Sequence, residues 1–381
     1  MSWSLVFIDM SLLKQRLLII GQLIALISVY GQSTVEHGKF ESLSDEIERI
    51  VKDTKAVGVS VALIDNYKVV WAKGFGVTEI NTKGSVTTET LFQVASITKS
   101  ITAMAVMKKV QDGSISLTED VDKQLISWHI PDNNFSKVSP ITVKNLLSHT
   151  AGVSSSQFPG YHLNDRLPTI VQALNAEAPA QNEKVKIVSK PGSIFSYSNC
   201  GYWILALLLE DVEKKEFDKI IQEGVLTPLE MTNSTFETHL PNDQFKSIAF
   251  GHLSQNKVID QKYYVYEPAS AGGLWSTPSD IAKFLIEMQL SLNGQSNRII
   301  DERNSNLMVT PVRGYGLGFS REIRGTGVKF FGHDGHNIGY ISAMLGSLDK
   351  GFGVVILTNS ENGWKAVNKI KKLVGRRFWG F

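Results

Sequence analysis

The spacing of apolar positions divides this chain into segments of different period. In "ESLSDEIERIVKDT", residues 41–54, Ile47, Ile50 and Val51 fall on one face at helical spacing. "VGVSVALIDNYKVVWAKGFG" then reads as two β-rich runs around Asp65-Asn66, a hairpin. Towards the other end, "GVKFFGH", "IGYISAMLGS" and "FGVVILTN" read as three strands with Gly- and Asp-containing turns, and "WKAVNKIKKLVGRRF" as a final helix. Most of the chain between carries helical signals. "ITVKNLLSHTAG" starts at Thr142 and stops at Gly152, and "GYWILALLLEDVEKK" is apolar almost all round at first, the pattern of a buried helix. "STPSDIAKFLIEMQLSLNG" has Thr277 as cap, Pro278 at the first helical position and Gly294 at the stop. The order is helix, two strands, long helical insertion, three strands, helix. It predicts an α/β chain of the α+β type. An antiparallel sheet built from both ends of the chain (residues 41–90 and 310–381) is flanked by the N- and C-terminal helices, with a mostly helical insertion over about 91–300. The crevice between sheet and insertion is where an active site is expected.

Composition narrows the classes. With 381 residues, 43% hydrophobic and 20% charged, the chain suits one large globular domain or two intimately packed ones. A net charge of +2 without a long basic run argues against nucleic acid as a partner. The single cysteine, Cys200, excludes an intrachain disulfide and reads as a small buried apolar residue. "GLGF", "GTG" and "GFG" lack a following helix, so no phosphate loop is implied. Lys14 and Arg16 precede an apolar run, Leu17 to Ser33, ending in small residues. Residues 1–31 therefore read as a signal peptide cleaved before Gln32, with the folded domain over 38–381 and a periplasmic or secreted location. An uncleaved membrane anchor is the competing reading, and the only expected membrane contact.

Three short motifs carry candidate chemistry. Ser-x-x-Lys occurs four times, but only Ser96/Lys99 opens a convincing helix, with Ile97, Ile101, Met104 and Ala105 as its apolar stripe and Gly113 at its end. A helix start offers free N–H groups to an oxyanion and favours a neutral Lys99 able to take the serine proton. The competing reading is a Ser cap beside a solvated lysine. Tyr197-Ser198-Asn199 is the one Tyr-x-Asn: a tyrosine near a lysine serves as proton shuttle with its phenolate favoured by the cation, and an asparagine holds an amide. His333-Asp334-Gly335 is the one His-x-Gly, on a predicted strand where Gly335 lets substrate backbone approach and a cationic His333 suits a carboxylate. His333 and His336 face opposite sides of a strand and make a poor metal pair. His149 in "LLSHTAG" reads as a structural helix end.

The three motifs in this order resemble the penicillin-recognising serine hydrolases: serine β-lactamases, D-alanyl-D-alanine carboxypeptidases and related esterases. "LFQVASITKSITA", "ITVKNLLSHTAGV", "PGSIFSYSNCGYW", "PASAGGLWSTPSDIAKF", "GYGLGF" and "GHDGHNIGY" are similar to that family's blocks, most of all to its class C branch. The resemblance implies a β-lactamase/transpeptidase-like fold and an acyl-enzyme on Ser96 formed from an amide or ester, with no metal or other cofactor. Under it, Lys99 and Tyr197 share general base and acid work, and Asn199 orients the substrate amide and Lys99. His333 and Gly335 line the strand side, and the backbone N–H groups of Ser96 and His336 form the oxyanion hole. The substrates implied are small molecules or peptidoglycan peptides, with β-lactams among the ligands. The chain departs from the β-lactamases proper in having His-Asp-Gly where Lys-Thr-Gly is usual. Asp334 then either faces the cleft and repels a substrate carboxylate, or points away. A non-catalytic penicillin-sensing protein of the same fold is the rival from another class.

Overall fold

The computed structural model describes residues 40–380 apart from 138, 157–159, 255 and 326, so the leader-like segment lies outside the described residues. A helix, α1, is described from residue 40 to residue 54. The unit from Ile50 to Phe381 holds the sheet and the site. Its first hairpin pairs β1 (Gly58–Asp65) with β2 (Lys68–Gly76) through Asn66 and Tyr67, both at positive φ as a tight two-residue turn requires. A short strand β3 (Phe92–Gln93) leads into α2 (Ile97–Gln111). The helices that follow are α3 (Val143–Leu147), α4 (Ile170–Asn175), α5 (Asn199–Glu213) and α6 (Phe217–Ile221). Strand β4 (Trp275–Ser276) pairs with β3 and precedes α7 (Pro278–Leu292) and α8 (Glu302–Val309). The chain closes with β5 (Ser320–Arg324), β6 (Val328–Asn337), β7 (Tyr340–Ser347), β8 (Gly353–Thr358) and α9 (Trp364–Val374).

Six strands form one antiparallel sheet in the order β2-β1-β8-β7-β6-β5, so β1 near one end of the chain pairs with β8 near the other. Strands β1, β7 and β8 are buried almost continuously instead of alternately, because helices cover both faces. Helix α7 packs against β1, β7 and β8, and α9 packs on β7 and β8. Caps predicted from sequence are in place: Thr142 forms a capping box with Asn145, and Thr277 accepts the Asp280 N–H ahead of Pro278. Strand β5 has no counterpart in the apolar pattern. Its sequence, SREIR, is an edge strand whose charges discourage further pairing, and charge hides it from a hydrophobic reading.

Helix α2 is the spine of the molecule. Its residues from Ile97 to Met107 are buried on all sides, including Thr98, Lys99, Ser100 and Thr102. Each hydroxyl there has a partner: Thr98 donates to the Ala95 carbonyl, Ser100 to Gly318 and Thr102 to Ser270. Buried polar groups so satisfied fix the helix in register rather than weaken it.

Candidate active site

Strand β3 and helix α2 meet at a strained corner. Ala95 lies at φ +47°, uncommon for a residue with a side chain, and the next residue is Ser96. The corner is pinned from three sides: Val94 N–H donates to Leu274 O (3.0 Å), Ser342 Oγ donates to Val94 O (2.7 Å), and Thr98 Oγ1 donates to Ala95 O (2.6 Å). Ser96 occupies the N-cap of α2, yet its side chain caps nothing. Its hydroxyl instead accepts from Lys99 Nζ at 3.1 Å. The Ser96 N–H has no acceptor among the described residues, as for the first amides of any helix.

Lys99 stands one turn further on and is fully buried. Its second bond, 2.6 Å, goes to the Ala271 carbonyl. Burial pulls its ammonium down to about 7, opposed only weakly by Cys200. The aromatic faces of Tyr197 and Tyr202 lie 5.0 and 5.8 Å from Nζ. Burial also raises Tyr197 well above its ordinary value, with the Ser96 hydroxyl beside it as the opposing hydrogen-bond partner. This corrects the phenolate expectation. Desolvation disfavours the phenolate and outweighs the Ser96 hydrogen bond, so the phenol keeps its proton.

Tyr197 is delivered by the turn that starts α5. Ser198 caps that helix by accepting the Gly201 N–H at 3.1 Å and donates its hydroxyl to Ser154 O at 2.7 Å. Asn199 is the first helical residue and lines the cavity, but its Nδ2 donates to Ser156 O at 3.1 Å. Lys99 bonds Ser96 and Ala271, so the expectation that Asn199 orients Lys99 is not met in this geometry.

Strand β6 supplies the opposite wall. Its odd-numbered side chains turn towards the helical insertion, where Phe331 meets Phe319 and His333 faces Tyr197 and Tyr315. The even-numbered ones turn towards α9: Asp334 accepts from Lys371 Nζ at 2.9 Å, and His336 Nε2 meets Glu361 at 2.7 Å. Asp334 thus points its carboxylate away from the reacting centre and into an ion pair. His333 is buried, and desolvation and the neighbouring Lys99 pull it down to about 4. A cationic His333 is therefore corrected to a neutral one, whose Nδ1–H is engaged by the Asp334 carbonyl and whose Nε2 is left a buried acceptor without a partner. Gly335 is required for packing. A Cβ there would come within 2.5 Å of Val94 O and closer still to Ser342 Oγ, so only glycine lets β6 lie against the corner that carries Ser96.

The hairpin joining β6 to β7 has two loop residues, Ile338 and Gly339, between Asn337 and Tyr340. A closing pair of this kind exchanges both ladder bonds, and alternation then turns the N–H groups of His336 and Asp334 towards the other edge. Strand β5 covers that edge only as far as Gly332. Beyond it the edge of β6 borders a cavity of about 780 Å³ that also reaches Ser96, Tyr197 and Asn199.

Further residues complete the site, most of them not singled out from sequence. His149 is structural, as expected, but at the site: its Nδ1 accepts the Ser198 N–H at 3.1 Å and its ring lies 4.2 Å from that of Tyr197. Burial holds it neutral. Tyr315, from the "GYGLGF" block, backs both His149 and His333. Lys371, Glu361 and Glu267 carry no local motif. Among the described residues no group of three His, Cys, Asp or Glu side chains comes together as a metal site.

A buried lysine bonded to an uncapped serine, with a tyrosine above and an open strand edge opposite, is the arrangement expected of a penicillin-recognising serine hydrolase. The chain matches the beta-lactamase family model over residues 43–374 and belongs to that family. Among curated relatives, protein flp of Staphylococcus aureus (strain MRSA252) is 25% identical over 327 residues, 82% of this chain and 61% of the relative. A beta-lactamase of Providencia stuartii is 26% identical over 251 residues, 65% and 60% of the two chains. The chain thus spans about three-fifths of these relatives' length. The octameric penicillin-binding protein homologue from Pyrococcus abyssi superposes with a TM-score of 0.72 at 27% identity, covering 88% of this chain and 77% of that one. The D-amino acid amidase from Ochrobactrum anthropi, complexed with L-phenylalanine amide, gives 0.69 at 24% identity over 89% and 99%, a likeness of fold.

Proposed function

We propose that this protein is a serine hydrolase that forms an acyl-enzyme on Ser96 from a small ester or amide. The observation that carries the reading is the Ser96–Lys99 pair: a serine hydroxyl with no capping duty, 3.1 Å from an amine that burial brings to about 7. Lys99 in its neutral form takes the Ser96 proton as Oγ attacks the carbonyl carbon. The developing oxyanion is received by the Ser96 N–H and the His336 N–H at the open edge of β6. Tyr197, protonated, works as the proton donor to the leaving group rather than as the base, and it takes back the proton held on Lys99, so that the phenol and the neutral amine are both restored. Water completes the cycle by cleaving the acyl ester. The names of the family's members, beta-lactamase and D-amino acid amidase, support amide or ester bonds as the substrate class. Export through the leader-like residues 1–31 is proposed with it, and a mature N-terminus at Gln32 in the secreted fraction is the result expected.

The test is covalent labelling. An acylating or phosphonylating probe should modify Ser96 alone by peptide mass spectrometry, and Ser96→Ala should abolish the label while the thermal transition persists. An adduct on a different serine, such as Ser254, overturns the assignment.

A further inference from the structure

The hairpin tip that joins β6 to β7 is held by groups from three other segments. His336 Nε2 meets Glu361 Oε1 at 2.7 Å, and the Gly339 N–H donates to Glu361 Oε2 at 2.6 Å. Between these two, Asn337 Nδ2 donates to Gln93 Oε1 at 2.9 Å and to Gly272 O at 3.0 Å. The Ile338 N–H donates to Tyr266 Oη at 3.0 Å. All four residues from 336 to 339 are thus tied from outside the hairpin. Glu361 alone holds two of them, one through each carboxylate oxygen, and so spans the turn from the end of β6 to the residue before β7. Its own backbone is fixed, because its N–H donates to His252 O at 2.9 Å. The contact is an ion pair. The bond from Glu361 raises His336 above its ordinary value; burial opposes the charge of Glu361, but His336 and the Gly339 N–H hold its carboxyl below the usual range. A clamp matters here for a geometrical reason. Strand β5 stops pairing with β6 at Gly332, so within the sheet only β7 supports the last residues of β6.

We propose that Glu361 is a positioning residue for acyl transfer: by clamping both sides of the β6–β7 turn it fixes the His336 N–H that receives the oxyanion. The proposal rests on the serine-hydrolase reading of Ser96 and adds a residue that acts through His336 rather than on the substrate. A catalytic donor has to be held within about 0.5 Å of its productive place, and a turn supported by β7 alone does not ensure that. With Glu361 cut back to alanine, the His336 ring and the Gly339 N–H lose their shared acceptor. The Asn337 and Ile338 bonds keep the hairpin folded, but the His336 N–H is held less closely against the oxyanion. Glutamine restores an oxygen acceptor for the Gly339 N–H without the charge that draws in His336, so its effect falls between the two.

Two substrates that differ in one atom test this: p-nitrophenyl acetate and its thiono counterpart, with sulfur in place of the carbonyl oxygen. Sulfur accepts hydrogen bonds weakly and sits farther from carbon, so a well-placed donor favours the oxygen ester and a loosely placed one favours it less. In both, Ser96 Oγ bonds to the acyl carbon, the bond to nitrophenolate breaks, and the serine proton goes to Lys99 and from there to water. Stopped-flow release of nitrophenolate in the first turnover reads acylation alone. Glu361→Ala should narrow the oxygen-to-sulfur rate ratio about tenfold, part of the about 100- to 1000-fold that a missing oxyanion donor costs. Glu361→Gln should narrow it about threefold, and it decides by the same ratio should the alanine variant not fold. Taking the ratio on one variant cancels general damage to the site and any loss of active protein. If both substrates slow by the same factor, or neither slows, Glu361 holds the fold and not the oxyanion donor; that overturns the proposal and leaves the hydrolase reading intact. No reaction of the wild type with either substrate, or a release that persists in Ser96→Ala, overturns the hydrolase reading and this proposal with it.

Discussion

Lys99 carries opposing demands: it must be buried to be a base, and burial makes its charged form costly. Its two hydrogen bonds, to Ser96 and Ala271, offset only part of that cost. The sign of the pH dependence follows. Between about 7 and the ordinary 10.5 the unfolded chain binds a proton that the folded one does not, so stability rises with pH across that window and the full cost is present below it. Lys99→Met should therefore stabilise the protein below pH 7, and its advantage over wild type should shrink by about 1.4 kcal/mol per pH unit between pH 7 and 10, read from denaturant titrations. Acylation should run the other way in wild type, rising through pH about 7 as the neutral amine forms, and stopped-flow acylation rates measure it. At this scale the sequence was informative wherever a motif names a residue, as for Ser96, Lys99 and Tyr197. Charge states were not legible. Whether His333 is a cation depends on burial supplied by Tyr197 and Tyr315, which lie far from it in the chain.

Strand β6 serves two sides at once. Its odd face touches the nucleophile corner and its even face is tied to α9, so changes on the two faces have different consequences. Gly335→Ala should cost about 1–3 kcal/mol of stability, since Val94 and Ser342 have to give way, and it should slow acylation because Val94 belongs to the corner that places Ser96. Asp334→Thr should cost about 1 kcal/mol by leaving Lys371 without its partner, while the rates with neutral and anionic probes change by the same factor. Thermal melts and paired labelling rates check both. Alternation along a strand is a sequence property, and it already separated His333 from His336. Which face meets the insertion and which meets α9 is set by the sheet as a whole. The apolar pattern therefore left Asp334 undecided, and the Lys371 contact decides it.

At the scale of the molecule, the order of segments was enough to foresee a sheet drawn from both ends of the chain, because the β-period runs cluster there and helical runs fill the middle. The strand order β2-β1-β8-β7-β6-β5 was not legible, since pairing partners so far apart leave no local trace. Strand β5 was missed because an edge strand is defended by charge.

The pairing of β1 with β8 also has a consequence in time. About 290 residues separate the end of β1 from the start of β8, and at about 5–20 residues per second a ribosome takes about 15–60 s to make them. Through that interval β1, buried along all but its last residue in the finished sheet, has no neighbour on its β8 side. Nascent chains stalled before Gly353 should remain protease-sensitive across residues 58–76 and acquire resistance in a single step once β8 has emerged, as limited proteolysis of stalled complexes will record.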